Sequence, residues 1–581
     1  MATQKTQNKA ACVSYNGFDG IDGVAAHSGN ISIEDMVNFR ILEDGSIEKR
    51  CGFKKLYEYP KDIQTYWCGI YGGKPRIYFL VNDIVSKFEL ESGEAVLIGR
   101  PSGIDMTNPR FFMLDGRLYL ATAGGFTYVQ PSGAFASVSG YVPHVGKDWS
   151  NDTVGEINEP LNILNRKARF TYTVSDEPSI FFRVLYPVKT IDKVEVNGIA
   201  VASSKYYFDS LYNSVNVSGL DAGDHVEIAV TYDLEESSSL SAIRSANRVE
   251  VFGGMTNNRA FFWNDSGESV IFSTGYVSPA EEADCNRIYT GISKNYLYFP
   301  EGYEFKVGSG ANVVKAATRH YDRLLFFTDR DVGMADNETC AIERIPTMNI
   351  NSKIGCPTAR GVAMAGNDPV SVGRDKIYRW TSQTDKLNEC NAYCISTPIA
   401  HLLPKDFFSN AAVTASSKRA ELFFYDPNST DGVMWVYQWE KKLWYRFDGI
   451  NAQAILDVGG TVCFIRNNGI YCFDEDMLYD YDGESVEFIN ARVESGILEL
   501  GGDAQRRLKG ICIRGDLIES LKVTLAPEGI SPVIYEAKEI LTMHGMLRKR
   551  LTSGRFRQMR LKLEASGADR TLIHSVELTA K

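Results

Sequence analysis

The chain lacks the features that mark membrane-spanning and secreted proteins. No run of apolar residues is long enough to cross a bilayer. The first residues, MATQKTQNKAACVSY, contain no apolar segment of the kind found in a secretory signal. The eleven cysteines are odd in number and irregularly spaced, which argues against a disulfide framework. We therefore predict no membrane-spanning segment and synthesis in a reducing cytoplasm.

Recognisable catalytic, metal-binding and nucleotide-binding motifs are also absent. The stretch Ser429–Trp435 matches the Asp-box motif of sialidases only in part, and it occurs once. The alternative interpretation of this stretch is a hairpin turn ahead of a strand. Asp474–Gly483 has carboxylates two residues apart, which could share a hard cation, but it lacks the closing Glu of an EF-hand; the alternative is an acidic loop. Gly308–Gly310 is typical of a turn, and Cys390 and Cys394 have no second ligand pair nearby for zinc. The seven histidines are dispersed, so no base and nucleophile can be paired from spacing. We predict a protein that is not an enzyme, without catalytic, cofactor-binding or metal-binding residues.

Negative charge exceeds positive charge, with 73 Asp and Glu against 62 Lys and Arg. The net charge of −11 argues against a general nucleic-acid-binding surface, although an acidic channel would let a polyanion pass without retaining it. One basic run stands out, at 548–562, and on a β surface its charges would line one face of a strand pair. These charges either balance acidic neighbours on a solvated face or contact an acidic partner subunit or a phosphate backbone. We predict a subunit interface at Arg548, Lys549, Arg550, Arg555, Arg557, Arg560 and Lys562.

What the chain has in abundance is one repeated pattern of a turn, an apolar and aromatic strand, a second turn and a short strand that ends in an aromatic. The 50 glycines and 12% aromatic residues suit tight turns and half-buried strands. Such hairpins cannot bury their own faces, but placed side by side in a circle they bury one another. We predict an all-β fold, a degenerate β-propeller, from the copies Gly72–Phe88, Asp115–Tyr128, Asn247–Trp263, Tyr321–Ala335, Gly366–Trp380, Ser417–Tyr437 and Gly459–Phe473.

The pattern is interrupted and flanked by other segments. Residues 165–235 contain an Asn197-Gly198 hairpin turn and a strand that alternates at 226–232, which predicts a small inserted β-sandwich. Residues 1–60 have few strong strand signals and are predicted to form an extended arm with few internal contacts. We divide the chain into an N-terminal arm (1–60), a first propeller part (61–164), the insert (165–235), a second propeller part (236–484) and a C-terminal β-domain (485–581).

Three stretches in this order resemble a known family. They are Asn38–Phe53 with its Asp-Gly turn and Lys-Arg-x-Gly-Phe, Asn247–Pro300 followed by Arg323–Thr328, and Cys356–Arg379. The order resembles phage virion proteins of the tail-stabilisation, tail hub or nozzle type, found in short-tailed bacteriophages and their relatives. The resemblance is dispersed over most of residues 15–475, and Cys51 stands where a proline is more usual.

The resemblance implies a structural virion protein in the tail or neck of the particle. Such a subunit would assemble with its own copies, six by tail symmetry, into a ring around the channel through which DNA leaves, without sequence-specific DNA binding. It would also contact neighbouring tail or neck proteins. Two alternatives stay open: a glycan-binding tail adhesin or depolymerase, and a bacterial propeller-type interaction protein unrelated to phage. Two carboxylates about 5–10 Å apart at the propeller mouth would favour glycan cleavage.

Overall fold

The fold is almost entirely β-sheet. The computed structural model describes residues 8–12, 15–18, 31–42, 44–150, 153–175, 180–252, 258–267, 269–289, 297–307, 313–321, 323–336, 347–381, 392–499, 505, 507–516, 518, 520–536, 541–543, 546–550 and 554–580. Within these ranges, helix is limited to Ser238–Ser245, Pro279–Ile288 and Phe407–Asn410, with 3-10 turns at Ser203–Lys205 and Thr397–Ile399. The predicted all-β class is confirmed.

Seven antiparallel units of four strands form the repeated part of the fold, and each contains one of the seven predicted hairpins; we number them sheets 1 to 7, although sheets 6 and 7 are parts of larger sheets. Sheet 1 is Thr65–Tyr71, Lys74–Val81, Ile84–Glu89 and Glu94–Gly99; sheet 2 is Arg110–Leu114, Arg117–Thr122, Gly125–Val129 and Phe135–Ser137. Sheet 3 is Arg248–Phe252, Arg259–Trp263, Ile271–Ser273 and Glu304–Phe305; sheet 4 is Val314–His320, Arg323–Thr328, Val332–Asp336 and Thr347–Asn351. Sheet 5 is Val362–Ala365, Asp368–Val372, Ile377–Trp380 and Ala392–Cys394; sheet 6 is Ala412–Ser416, Glu421–Tyr425, Met434–Gln438 and Leu443–Phe447. Sheet 7 is Ala454–Val458, Thr461–Arg466, Gly469–Asp474 and Gly52–Glu58, extended by Tyr479–Tyr481 and Val486–Phe488.

Tight turns set the register of these sheets. In sheet 7 the residues Asn467 and Asn468 both have positive φ, 43° and 62°, between two paired strands. Asp115 and Gly116 do the same in sheet 2, with φ of 50° and 72°. Two consecutive positive φ values define the turn whose twist matches that of the flanking strands, and Asn, Asp and Gly tolerate it best.

The first strands of the seven sheets lie against one another in a closed cycle. Each first strand contacts the first strand of the next sheet, and that of sheet 7 returns to that of sheet 1. Apolar and aromatic side chains fill the space between neighbouring sheets: Phe112 and Phe262 meet edge to face across sheets 2 and 3, with ring centroids 5.2 Å apart. Each sheet therefore buries the faces of its neighbours.

A segment from the N-terminal part of the chain completes sheet 7. Gly52–Glu58 pairs antiparallel with Gly469–Asp474, so the fourth strand of this sheet lies more than 400 residues earlier in the chain than the third. The structure differs here from the expected arm with few contacts, because residues 31–58 are built into three sheets of the same chain. Short strands of mixed polarity gave a weak sequence signal, but Phe53 is only 2% exposed.

Between sheets 2 and 3 lies a unit with its own core. Its five-stranded sheet is His144–Ser150, Lys167–Thr173, His225–Tyr232, Val188–Val196 and Ile199–Ala200; its three-stranded sheet is Phe181–Arg183, Ser214–Val217 and Tyr206–Asp209. Buried side chains from both sheets, among them Phe170, Phe182 and Val215, form one cluster separate from the other cores. We call residues 144–232 the insert; the predicted boundaries at 165 and 235 stay predictions.

The C-terminal strands combine with N-terminal ones in two places, as an extension of sheet 6 and as a separate sheet. Ile31–Val37 lies between sheet 6 and a series of C-terminal strands, and Tyr15–Phe18 pairs with it. The series runs in the order Ala491–Ser495, Gln558–Ala565, Leu521–Pro527 and Val533–Glu536, and Leu498–Glu499 also pairs with Gln558–Ala565. The separate sheet is Phe39–Ile41, Ile47–Lys49, Leu572–Ala580, Leu508–Asp516, Met546–Arg550 and Leu541–Met543, with Asn8–Cys12 beside Leu572–Ala580. Apolar side chains of these sheets merge with those of sheets 5, 6 and 7 into the largest core of the described residues.

We predict that Phe53→Ala lowers the free energy of unfolding by about 3–5 kcal/mol, the usual cost of removing a buried ring. Phe53 packs edge to face on Phe464 and Tyr471, at ring-centroid distances of 5.1 and 5.7 Å. Urea unfolding followed by fluorescence measures the change. Phe488→Ala, at a 56% exposed position of the same sheet, is the control and should leave the midpoint unchanged. Equal midpoints for the two variants would show that the strand does not secure sheet 7.

Candidate functional site

A cavity of about 440 Å³ opens where the first strands of the sheets begin. It is lined by residues of sheets 1 to 4 and of the segment leading into sheet 5, and we call it the axial cavity because these strands face the centre of the cycle. Its polar lining includes Gln64, Asn108, Arg110, Arg248, Glu250 and Arg360. The strand starts place these side chains, since each follows the loop that connects one sheet to the next.

Arginine dominates the charge of the axial cavity. Arg110 is 5% exposed; it donates to the carbonyl oxygens of Asn108 and Ile243 at 3.1 and 2.8 Å, and its guanidinium lies 5.4 Å from the Phe262 ring centroid. Burial lowers the pKa of Arg110 to about 10. Arg360 is exposed and lies 5.7 Å from the ring centroid of Tyr66.

Two acidic residues, Glu250 in the lining of the cavity and Asp265 beside Arg248, have different roles. Arg248 forms an ion pair with Asp265 at 2.6 Å. Glu250 lines the cavity, and burial raises its pKa to about 8, while the charge of Arg319 acts in the opposite direction. Among the residues of the described chain that line this cavity, Glu250 is the single carboxylate.

The insert exposes an unusual amount of apolar surface. The outer face of its three-stranded sheet carries Phe181 and Tyr207, which are 40% and 59% exposed and both lie opposite Asn216. The adjacent turn adds Leu211 at 80% and Tyr212 at 55% exposure, and the rings of Phe181 and Tyr212 are 6.0 Å apart. We call Phe181, Tyr207, Leu211 and Tyr212 the insert patch.

The central strand below the insert patch has unsatisfied polar groups. Asn216 is 1% exposed, and within the described chain neither its amide nitrogen nor its amide oxygen has a hydrogen-bond partner. The hydroxyl of Ser214, on the same face, is also buried without a partner among the described residues. Buried amides without partners are costly in a free subunit. The exposed apolar group of the insert patch is typical of a surface that another molecule covers.

The predicted interface residues fall on two sheets and do not line one strand pair. Lys549 and Arg550 lie on Met546–Arg550, as does the backbone of Arg548, whereas Arg560 and Lys562 lie on Gln558–Ala565 of the other C-terminal sheet. Arg560 forms an ion pair with Glu34, Lys562 forms one with Glu564 at 2.7 Å, and Lys549 lies 4.1 Å from the Tyr535 ring centroid. Arg550, Arg555 and Arg557 are exposed.

The other stretches singled out in the sequence have structural partners. In Asp474–Gly483, Asp474 pairs with Lys54 at 2.6 Å, and Asp480 pairs with the buried Arg50 at 2.7 Å.

Within the ranges that the structure describes, no cluster of His, Cys, Asp and Glu could hold a metal ion, and no helix has the length and apolar character to cross a membrane. Gly308–Gly310 and Cys390 lie outside the described residues.

Comparisons with known proteins do not identify a family. No protein-family model and no curated protein matches the sequence. Among solved structures, the chain is similar to PorZ, a bacterial surface component of the type-IX secretion system of Porphyromonas gingivalis, with 10% identity and a TM-score of 0.36 over 84% of this chain and 46% of PorZ. It is also similar to U3-55K, with 10% identity and a TM-score of 0.34 over 72% of this chain and 98% of U3-55K. The AfRom2 CNH domain gives 8% identity and a TM-score of 0.33 over 73% of this chain and 99% of that domain. Likenesses at these scores carry no argument about function.

We predict that Glu250→Gln stabilises the protein at alkaline pH. The pKa of Glu250 is about 8 in the folded chain and 4.5 in a solvated carboxyl, so the folded state holds the proton more tightly. Its stabilising effect is complete below pH 4.5 and is lost as the pH rises towards 8. The difference in unfolding free energy between variant and wild type should therefore grow by up to about 1.4 kcal/mol per pH unit in that window.

Urea unfolding at pH 5 and pH 8 measures this difference. Glu94→Gln, at an exposed position of sheet 1, is the control and should follow the wild type at both pH values. If the difference in unfolding free energy between Glu250→Gln and the wild type is the same at pH 5 and pH 8, the raised pKa of Glu250 is contradicted.

Proposed function

We propose that this chain is a structural virion protein of a tailed bacteriophage, a subunit that assembles into a ring in the tail or neck around the DNA exit channel. The single structural observation that carries the proposal is the insert patch. Free soluble proteins rarely expose a group of large apolar side chains together, and such surfaces are typical of subunit contacts. The resemblance of Asn38–Phe53, Asn247–Pro300 and Cys356–Arg379 to phage tail proteins is the reason for proposing a tail or neck ring as the assembly.

We propose further that the seven sheets are the blades of a β-propeller. The support is their order in the chain, the closed cycle of first strands and the completion of sheet 7 by Gly52–Glu58. A propeller is a rigid scaffold whose edges and loops are available to neighbours. In this arrangement the insert would project from the connection between blades 2 and 3, and we propose that it contacts the next subunit.

The alternative of a glycan-cleaving protein has less support. Glycosidases need two carboxylates on either side of the scissile bond, about 5–10 Å apart. The described lining of the axial cavity offers Glu250 without a second carboxylate, and Asp265 is engaged by Arg248. We therefore retain the proposal that the chain is not an enzyme.

We predict that Leu211→Lys abolishes ring formation and leaves the subunit folded. Leu211 is 80% exposed, so its replacement should change stability by no more than about 0.5 kcal/mol, yet it places a charge in the proposed contact. Light scattering of the purified chain and the yield of complete particles measure assembly, and circular dichroism measures folding. Tyr321→Lys, at a 58% exposed residue in a turn of sheet 4, is the matched control. Normal assembly of the Leu211→Lys chain would contradict the role of the insert patch.

We predict that the double charge reversal Arg555→Glu with Arg557→Glu weakens assembly of folded subunits. Both side chains are exposed and would face acidic groups of a neighbour, where complementary charge fixes register more than it adds affinity. The same assays apply, repeated at low and high salt because screening should reduce the wild-type advantage. Arg330→Glu, at an arginine whose side chain is 66% exposed in sheet 4, is the control. A structure of the particle with Arg555 and Arg557 in open solvent or lining the DNA path would overturn the assignment.

A further inference from the structure

We propose that the axial cavity binds a small organic oxyanion, a phosphate monoester or a carboxylate, held by Arg110 and Arg360. The inference is independent of the virion role, because the cavity lies within one chain. It rests on these two arginines, which have no carboxylate partner among the described residues, and on the volume of the cavity.

Arg110 is a buried cation without a counter-ion. No carboxylate among the described residues forms an ion pair with it, and its Nε has no hydrogen-bond acceptor there. Carbonyl oxygens at 2.8 and 3.1 Å satisfy part of the guanidinium, and the nearer one, in the last turn of helix Ser238–Ser245, brings partial but not full negative charge. Burying an unpaired charge is costly, and the cost falls when an anion approaches.

Arg360 supplies a second, adjustable cation at the same cavity. It stacks near Tyr66 and, in the described part of the chain, forms no ion pair with a carboxylate. The planar fork of a guanidinium matches two oxygens of a phosphate or carboxylate at once. Arg248 contributes less charge, since Asp265 neutralises it.

Glu250 does not supply the missing negative charge. The charged group that acts on its carboxyl is Arg319, which does not line the cavity, and with a pKa of about 8 the carboxyl is mostly protonated at neutral pH. In that form it can donate a hydrogen bond to an oxyanion. The cavity therefore combines an excess of positive charge with a neutral donor.

The dimensions indicate an organic anion. The volume of about 440 Å³ is in the range of small-molecule sites and greatly exceeds that of inorganic phosphate. The amide of Asn108 offers a donor and an acceptor for a neutral, polar part of the ligand, whereas the amides of Gln64 and Asn247 are bound to Asp83 and Asp265.

Isothermal titration of the whole chain at low ionic strength tests the proposal, with AMP as the phosphate monoester, citrate as the carboxylate and adenosine as the neutral control. We expect AMP or citrate to bind with a Kd below about 1 mM, corresponding to about −4.1 kcal/mol. Binding of AMP alone assigns phosphate, and binding of citrate alone assigns carboxylate. Failure of both, or equal binding of adenosine and AMP, overturns the proposal.

Variants locate the site. Arg360→Ala should weaken binding at least tenfold, and because Arg360 is exposed the variant should fold. Arg330→Ala, which removes an exposed arginine outside the cavity, should bind like the wild type. Arg110→Gln should also lose binding, and it is assayed if its circular dichroism spectrum matches that of the wild type. If Arg110→Gln does not fold, the binding of Arg360→Ala alone decides whether the proposed site is correct. Undiminished binding by Arg360→Ala overturns the proposal.

Discussion

The pairing of Gly52–Glu58 with Gly469–Asp474 is the constraint on which the rest of the structure depends. Without it, sheet 7 would expose the free edge of its third strand, and the cycle of sheets would be held by side-chain packing alone at that point. With it, backbone hydrogen bonds join two segments that are distant in sequence. The axial cavity exists only because the first strands of the sheets stay in that cycle.

Buried charge reinforces the same junction. Arg50, 4% exposed, donates both ends of its guanidinium to Asp480 at 2.8 and 2.7 Å and its Nε to the amide oxygen of Asn38. Nearby, Glu475 accepts from Arg40, Arg419 and Arg570. These contacts join the N-terminal strands, the loop after sheet 7 and the C-terminal sheet. A bidentate pair of this kind adds geometric specificity as well as energy, and removing either partner would leave a charge buried.

The sequence predicts the repeated part of this fold well and its long-range closure poorly. Each of the seven hairpins falls within one sheet because turn residues and alternating apolar residues act locally, as at Asn467 and Asn468. Gly52–Glu58 has ordinary strand composition, and nothing near it in sequence indicates a partner beyond residue 460. The axial cavity was not predicted for the same reason: Arg110, Glu250 and Arg360 come from separate sheets, and no spacing rule joins them.

The order of synthesis on the ribosome affects when the N-terminal strands can pair. The strands at 31–58 emerge early, but their partners at 469–474, 491–495 and 572–580 emerge several hundred residues later. Until then the early segment has apolar side chains such as Phe39 and Phe53 with nowhere to pack. A nascent or prematurely terminated chain would leave sheet 7 and the two sheets that hold the C-terminal strands incomplete, so the folded core itself distinguishes a finished product from a fragment.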